Sequence, residues 1–222
     1  MFKVNVIDHP YLQAVLTTLR DKNTSQIEFR KSLVKLGRAL GIEITREMEK
    51  EEVEVETPLG AKAKGLKFRD MDKVIIITVL RAGTPLTEGL IKIFYNAKQG
   101  VVSARRMDEL GMGSGKNFEI EVNYIRLPKI SGENIVIISD PMLATGSTIS
   151  KVTNIVLERA RPKKIIIVGA IATKVAIEKI REIERNSGVD VSVYIASIDP
   201  EINSRGYIVP GLGDAGDRAF GD

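Results

Sequence analysis

Ile135-Val136-Ile137-Ile138-Ser139-Asp140-Pro141-Met142-Leu143-Ala144-Thr145-Gly146-Ser147-Thr148 decides the fold. It reads as a β-branched apolar strand, an acid, a loop of small residues and the start of a helix. The strand does not alternate apolar with polar residues, as one with a wet face would. A continuous apolar run fits a strand buried on both faces, as in a parallel sheet. Three more such runs lie at 73–80, 164–170 and 189–196, with a weaker one at 99–104. Helical patterns separate them. Leu86, Leu90, Ile91 and Phe94 mark a helix over 85–96. Ile149, Val152, Ile155, Val156 and Ala160 mark one over 147–161, and Val175, Ile177, Ile180 and Ile183 one over 174–187. This alternation predicts an α/β core over 71–200. Its sheet is mainly parallel, flanked by helices on both faces and joined by right-handed crossovers.

The loop after residue 139 falls at the carboxyl end of a strand, where open α/β sheets bind ligands. Ala144, Thr145 and Gly146 are small enough to let backbone approach a ligand, and Thr145, Ser147 and Thr148 add hydroxyls. Ser147 and Thr148 also open the next helix, whose unpaired N–H groups and dipole favour an anion. The whole reads as a phosphate cradle. Asp140, at the strand tip, suits ribose hydroxyls or a cation held through water. The loop is not a Walker loop, because it lacks Gly-Lys-Ser/Thr, and it is not Gly-x-Gly-x-x-Gly.

Composition narrows the chemistry. The chain has 222 residues, 43% hydrophobic and 28% charged, which is ordinary globular usage. Its longest apolar runs fall far short of the roughly 20 residues of a spanning helix, so no membrane association is expected. The start, Met1-Phe2-Lys3-Val4, lacks a charged-then-apolar leader pattern, so a cytoplasmic location is expected. There is no cysteine, which removes disulfides, thiol nucleophiles and thiolate metal sites. His9 is the single histidine, which excludes a multi-histidine metal site. Chemistry must run on carboxylates, hydroxyls, Lys and Arg, backbone amides or a hard cation. The net charge of +4 suits an anionic small molecule and nucleic acid alike.

Residues 1–70 read as helices and a hairpin that pack beside the core and help build an oligomer interface. Residues 11–19 form a short helix after Pro10. Ser25-Gln26-Ile27-Glu28 is a capping box opening a helix to about Leu40, stopped by Gly41. Ile27, Leu33, Val34, Leu36 and Leu40 are its inward positions; Arg30, Lys31, Lys35 and Arg38 point out. Val53 to Glu56 and Ala61 to Leu66 flank a Pro58–Gly60 turn as a hairpin.

Two further segments carry chemistry. Val79-Leu80-Arg81-Ala82-Gly83 puts an arginine at the tip of the first long strand, and its planar fork suits phosphate oxygens. Gly206-Tyr207-Ile208-Val209-Pro210-Gly211-Leu212-Gly213-Asp214-Ala215-Gly216-Asp217-Arg218 is tightly turned, rich in backbone amides, and too apolar for a loose tail. Asp-Pro-Met-Leu-Ala-Thr-Gly at 140–146 resembles the phosphoribosyl diphosphate loop of the uracil phosphoribosyltransferases, a branch of the type I phosphoribosyltransferases. The Arg81 segment resembles that family's pyrophosphate loop, and the run from Gly206 its uracil-binding loop. His9-Pro10 and Ser197-Ile198-Asp199 extend the resemblance over nearly the whole chain.

The resemblance implies a type I phosphoribosyltransferase-like fold with N-terminal helices, a β-hairpin hood and a C-terminal base-binding loop over 201–222. It implies a reaction that joins uracil to phosphoribosyl diphosphate, giving UMP and diphosphate in pyrimidine salvage. Arg81, Ala82, Gly83, Arg106, Asp140, Met142, Leu143, Ala144, Thr145, Gly146, Ser147, Thr148 and Asp214 would bind phosphoribosyl diphosphate. Arg81, Arg106, Asp140 and Asp214 would serve catalysis, though Arg105 blurs the choice of second pyrophosphate arginine. Tyr207, Ile208, Gly213, Asp214 and Ala215 would hold uracil. Magnesium would enter through substrate and water near Asp140 and Asp214. Asp214 would replace the second acid that related enzymes carry beside the residue equivalent to Asp140. Leu110-Gly111-Met112-Gly113-Ser114-Gly115-Lys116 is a hairpin tip, read either as a closing hood or as a surface loop. The basic face Arg30, Lys31, Lys35, Arg38 is either solvated or a GTP effector site, since some members respond to GTP. A dimer or tetramer follows from the family. The rival reading is a phosphoribosyltransferase-fold RNA-binding pyrimidine regulator; the lack of a basic patch interleaved with aromatics argues against nucleic acid.

Overall fold

The structure, a computed structural model, describes residues 2–107 and 118–221. The glycine-rich tip at 110–116 lies outside the described residues. A seven-stranded sheet runs in the order β1-β11-β9-β7-β4-β5-β6. Its strands are β1 (Lys3–Val6), β4 (Val74–Leu80), β5 (Lys98–Arg106), β6 (Ile120–Arg126), β7 (Ile135–Ser139), β9 (Lys164–Val168) and β11 (Asp190–Ile195). All pair in parallel except β5 with β6, which is antiparallel. The shorter strands β2 (Lys50–Glu56) and β3 (Lys62–Phe68) form the N-terminal hairpin, and β8 (Met142–Leu143), β10 (Ile171–Thr173) and β12 (Ser197–Asp199) form a small parallel sheet. Strands β13 (Glu201–Ile202) and β14 (Ile208–Val209) pair antiparallel.

The continuous apolar runs are explained by helices on both faces. Ile76, Ile137, Ile166 and Val168 point into one apolar layer, under α1 (Pro10–Arg20), α2 (Gln26–Ile44) and α3 (Gly83–Ile91). Ile75, Ile77, Val136, Ile138, Ile165 and Ile167 point into the other, under α4 (Ser147–Arg159) and α5 (Lys174–Ser187). The final helix, α6 (Ala215–Phe220), joins the first layer through Ala215 and Ala219. The chain runs outward from β4 in two directions, to β5 on one side and to β7, β9 and β11 on the other. Loops at the carboxyl ends of β4 and β7 therefore diverge and leave a crevice.

Three expectations are corrected. Helix α2 does not stop at Gly41 but runs on to Ile44. Gly41 is buried in the helix interior, close against Ile93, so tertiary packing outweighs the ~1 kcal/mol that glycine costs a helix. Ile27 is 57% exposed rather than inward, and Phe29 takes the buried place. The helix expected over 85–96 starts earlier, at Gly83, and ends at Ile91. Pro85 is tolerated there because N–H groups in a first turn have no helical partner. The sequence reading also missed β1, a half-exposed edge strand that pairs with β11 near the other end of the chain. Ser25 caps α2 by accepting the Glu28 N–H at 3.3 Å, while the Glu28 carboxylate goes to Lys35 at 2.9 Å.

Candidate active site

The crevice at the switch point is a pocket of about 650 Å³. It is lined from the tip of β4 by Arg81 and Ala82, from β5 by Arg105 and Arg106, and from the loop after β7 by Asp140, Met142, Leu143, Ala144, Thr145, Gly146, Ser147 and Thr148. The C-terminal segment closes it with Tyr207, Ile208, Gly213, Asp214, Ala215 and Asp217. Every residue that the sequence assigns to phosphoribosyl diphosphate or to the base meets here except Gly83. That residue stands behind the wall, where any Cβ would collide with the Ser139 carbonyl. Arg30, Lys31, Lys35 and Arg38 lie on α2 and do not line the pocket.

The cradle takes its shape from Gly146, whose φ of +78° turns the chain into α4. Thr173 donates to the Ala144 carbonyl at 2.5 Å, and the Ser147 N–H donates to Thr145 Oγ1 at 3.3 Å. Ser147 Oγ accepts the N–H of Phe118, two residues before β6, at 3.1 Å. Lys179 brings a cation beneath the loop, its Nζ 3.4 Å from Ser147 Oγ. Burial lowers the pKa of that amine.

Asp140 is buried, and its Oδ1 accepts the Met142 N–H at 3.2 Å. Burial pushes its pKa up to about 7, and that one N–H bond only partly offsets the effect. Arg81 reaches across the pocket to Asp217, with Nη2 3.3 Å from Oδ1. Arg106 is seated between rings, its guanidinium carbon 4.5 Å from the Phe118 centroid and 5.4 Å from that of Tyr207. It also donates to the Gly206 carbonyl at 3.2 Å. Asp214 caps α6, with Oδ1 accepting the N–H groups of Gly216 at 2.8 Å and Asp217 at 3.0 Å. His9 likewise caps α1 through Nδ1.

The sequence reading missed Asp217, Lys179 and Asn123, the last of which lines the pocket from β6. For Asp217 a signal existed, since it stands one helical turn after Asp214. For Lys179 none did: it reads as one more polar position of an amphipathic helix.

The sheet order, the pocket at the switch point and the loop after β7 define a type I phosphoribosyltransferase fold. One solved structure, the AQ2163 protein of Aquifex aeolicus, superposes with a TM-score of 0.85 over 98% of both chains at 32% identity. The chain belongs to the uracil phosphoribosyltransferase family, whose model, described as uracil phosphoribosyltransferase, matches residues 6–222. A uracil phosphoribosyltransferase of Thermococcus gammatolerans is 50% identical over 214 residues, covering 96% of this chain and 91% of that protein. One of Metallosphaera sedula is 50% identical over 218 residues, covering 98% and 99%.

Proposed function

We propose that the pocket joins uracil to phosphoribosyl diphosphate, releasing UMP and diphosphate, as a step of pyrimidine salvage. The observation that carries this is convergence. An anion cradle, paired arginines and an amide-rich loop, far apart in sequence, meet in one pocket of about 650 Å³. The 5′-phosphate sits on the N–H groups around Gly146, Ser147 and Thr148 at the start of α4. Asp140 accepts ribose hydroxyls. Arg81, with Arg106, faces the diphosphate as the C1–O bond breaks and the ribose turns cationic; fixed positive charge in a pocket stabilises that separation. Arg81 must then exchange Asp217 for phosphate oxygens. The C1–N1 bond forms to uracil, whose N1 proton leaves to diphosphate or water. Ile208 and Gly213 read the base edge through backbone groups, with Tyr207, Asp214 and Ala215 around them. An amino group in place of a carbonyl would set donor against donor, which backbone recognition rejects strongly.

Among the described residues no group of three or more His, Cys, Asp and Glu side chains is placed to hold a metal ion. Magnesium arriving on the diphosphate would find Asp140 and Asp214 in the pocket wall as the residues to hold it through water. When bound, it would neutralise diphosphate charge.

The test is UMP formation with uracil, orotate, cytosine and hypoxanthine offered separately, with and without magnesium and GTP. Turnover with uracil alone, dependent on magnesium, is expected. Turnover with another base would keep the cradle and discard the base assignment. No turnover by folded protein would discard both. A response to GTP that Arg38→Ala removes would assign the basic face of α2, and no response would leave that face to solvent.

A further inference from the structure

Arg20 ends α1 and Asp199 ends β12, and neither lines the pocket. They meet fork to fork, with Arg20 Nη2 donating to Asp199 Oδ1 at 2.6 Å and Nη1 to Oδ2 at 2.8 Å. Both then grip one further residue. Asp199 Oδ2 accepts the Gly211 N–H at 2.9 Å, and Arg20 Nη1 donates to the Gly211 carbonyl at 3.0 Å. The Ser197 hydroxyl donates to Oδ1 at 3.1 Å. Asp199 is only 1% exposed. Burial alone would raise its pKa, but Arg20, the Gly211 N–H and Ser197 outweigh burial and hold it below the usual carboxylate range.

Gly211 is where the C-terminal loop folds back on itself. Its φ is +67°, and any Cβ would collide with the Ile208 carbonyl. Arg218 closes the grip from the other side. Its guanidinium donates to the carbonyls of Leu19, of Leu212 at 2.7 Å and of Asp21 at 2.6 Å, and lies 4.3 Å over the Phe29 ring. The end of α1 thus gives a guanidinium to the loop, and α6 gives one back to the carbonyls on either side of Arg20.

We infer that Arg20 and Asp199 are positioning residues for base selection: by fixing both backbone groups of Gly211, they hold Ile208 and Gly213 in register with the edge of the base. The inference rests on the base-loop reading above and adds to it the residues that set its geometry. Backbone donors and acceptors cannot be re-aimed by rotating a side chain, so their placement is their specificity. A recognition group must be held within about 0.5 Å, and a shift of about 1 Å can cost a hundredfold. Among the described residues the pair makes no side-chain hydrogen bond to the cradle. The link runs only through backbone, since Asp199 stands opposite Thr173 in the β10–β12 pairing and Thr173 holds the Ala144 carbonyl. Side-chain changes in the pair should therefore fall mainly on the base.

The test varies uracil and phosphoribosyl diphosphate separately in Asp199→Asn, Arg20→Lys and Gly213→Ala. Asp199→Asn leaves an oxygen for Gly211 but loses the charge pairing, and Arg20→Lys keeps the charge but not the fork. The expected result is a KM for uracil raised about tenfold in Asp199→Asn and less in Arg20→Lys, with KM for phosphoribosyl diphosphate within about twofold. Preference for uracil over cytosine should fall in both. Melting curves report folding; if Asp199→Asn does not fold, Arg20→Lys decides. A wild-type KM for uracil overturns the inference. So does an equal rise in both KM values, or a fall in apparent kcat that only follows the folded fraction with both KM values at wild type. Gly213→Ala tests the underlying reading. If it too leaves uracil binding untouched, the loop is not the base site. If it raises KM while Asp199→Asn does not, the grip alone has failed.

Discussion

The phosphate cradle and the base loop are both glycine-bearing turns over one pocket, yet they are held differently. The cradle is a strand, a loop and a helix in succession, and the cross-links described for it span at most 32 residues: Thr145 to Ser147, Thr173 to Ala144 at 2.5 Å and Lys179 to Ser147 at 3.4 Å. The base loop depends on the opposite end of the chain. Arg20 reaches the Gly211 carbonyl at 3.0 Å, and Arg218 returns to the Asp21 carbonyl at 2.6 Å. Under the proposed function, the difference follows from what each would bind. A phosphate is nearly isotropic, and a helix start with free N–H groups suits it without fine alignment. A base edge presents donors and acceptors in a fixed pattern, so its reader must be rigid, and a short loop near a terminus becomes rigid only by being tied to something else.

Arg81 joins the two regions, since it leaves β4 beside the cradle and touches Asp217 of α6. Arg81→Gln is expected to have the largest effect: a fall in kcat of about 100–1000-fold, with the melting temperature little changed because the side chain is largely exposed. A fall of only about twofold would mean that Arg105 and Arg106 supply the field alone. Gly146→Ala comes next. It forces a side chain into a φ of +78° and brings a Cβ to 3.0 Å from the Ala176 Cα. The cost in stability should be about 1–2 kcal/mol. KM for phosphoribosyl diphosphate should rise about tenfold while KM for uracil holds, the mirror image of Asp199→Asn. If Gly146→Ala moves both constants equally, the two regions are not independent and the comparison breaks.

The same contrast explains what could be read in advance. The strand, loop and helix start around Asp140 to Thr148 were legible, because they are adjacent and each step has a local cause; Lys179 beneath them was not. The helix Lys174–Ser187 was legible for the same reason, its apolar positions following one face. Strand β1 was not, since four half-exposed residues become a strand only by pairing with β11. The overrun of α2 was hidden because Gly41 carries a local stop signal that close packing on Ile93 overrides. The base loop itself was visible from its glycines, but the Arg20–Asp199 pair was not. The two residues stand 179 apart, and opposite charges at that separation leave no pattern in a sequence.

Asp140 tests whether the cradle side works on its own terms, through a smaller effect that depends on pH. Burial raises its pKa from the ordinary 3.8 to about 7 in the folded protein. Between those values the native chain holds a proton that the unfolded chain has lost. Stability from this group is therefore complete below about pH 4 and declines as pH rises to about 7, beyond which the curve is flat. Melting curves of the wild type, referred to those of Asp140→Asn, should diverge over that window and run parallel above it. Parallel curves throughout would show that Asp140 ionises normally and is better hydrated than its burial implies. The catalytic counterpart runs in the opposite direction. Ribose hydroxyls need the ionised carboxylate as acceptor, so kcat/KM for phosphoribosyl diphosphate should rise with pH to a plateau, about half complete near pH 7. The variant should stay low and flat, and kcat/KM for uracil, measured at saturating phosphoribosyl diphosphate, should not follow the rise. If the uracil constant shows the same titration, Asp140 acts on the chemical step common to both substrates and not on ribose binding alone.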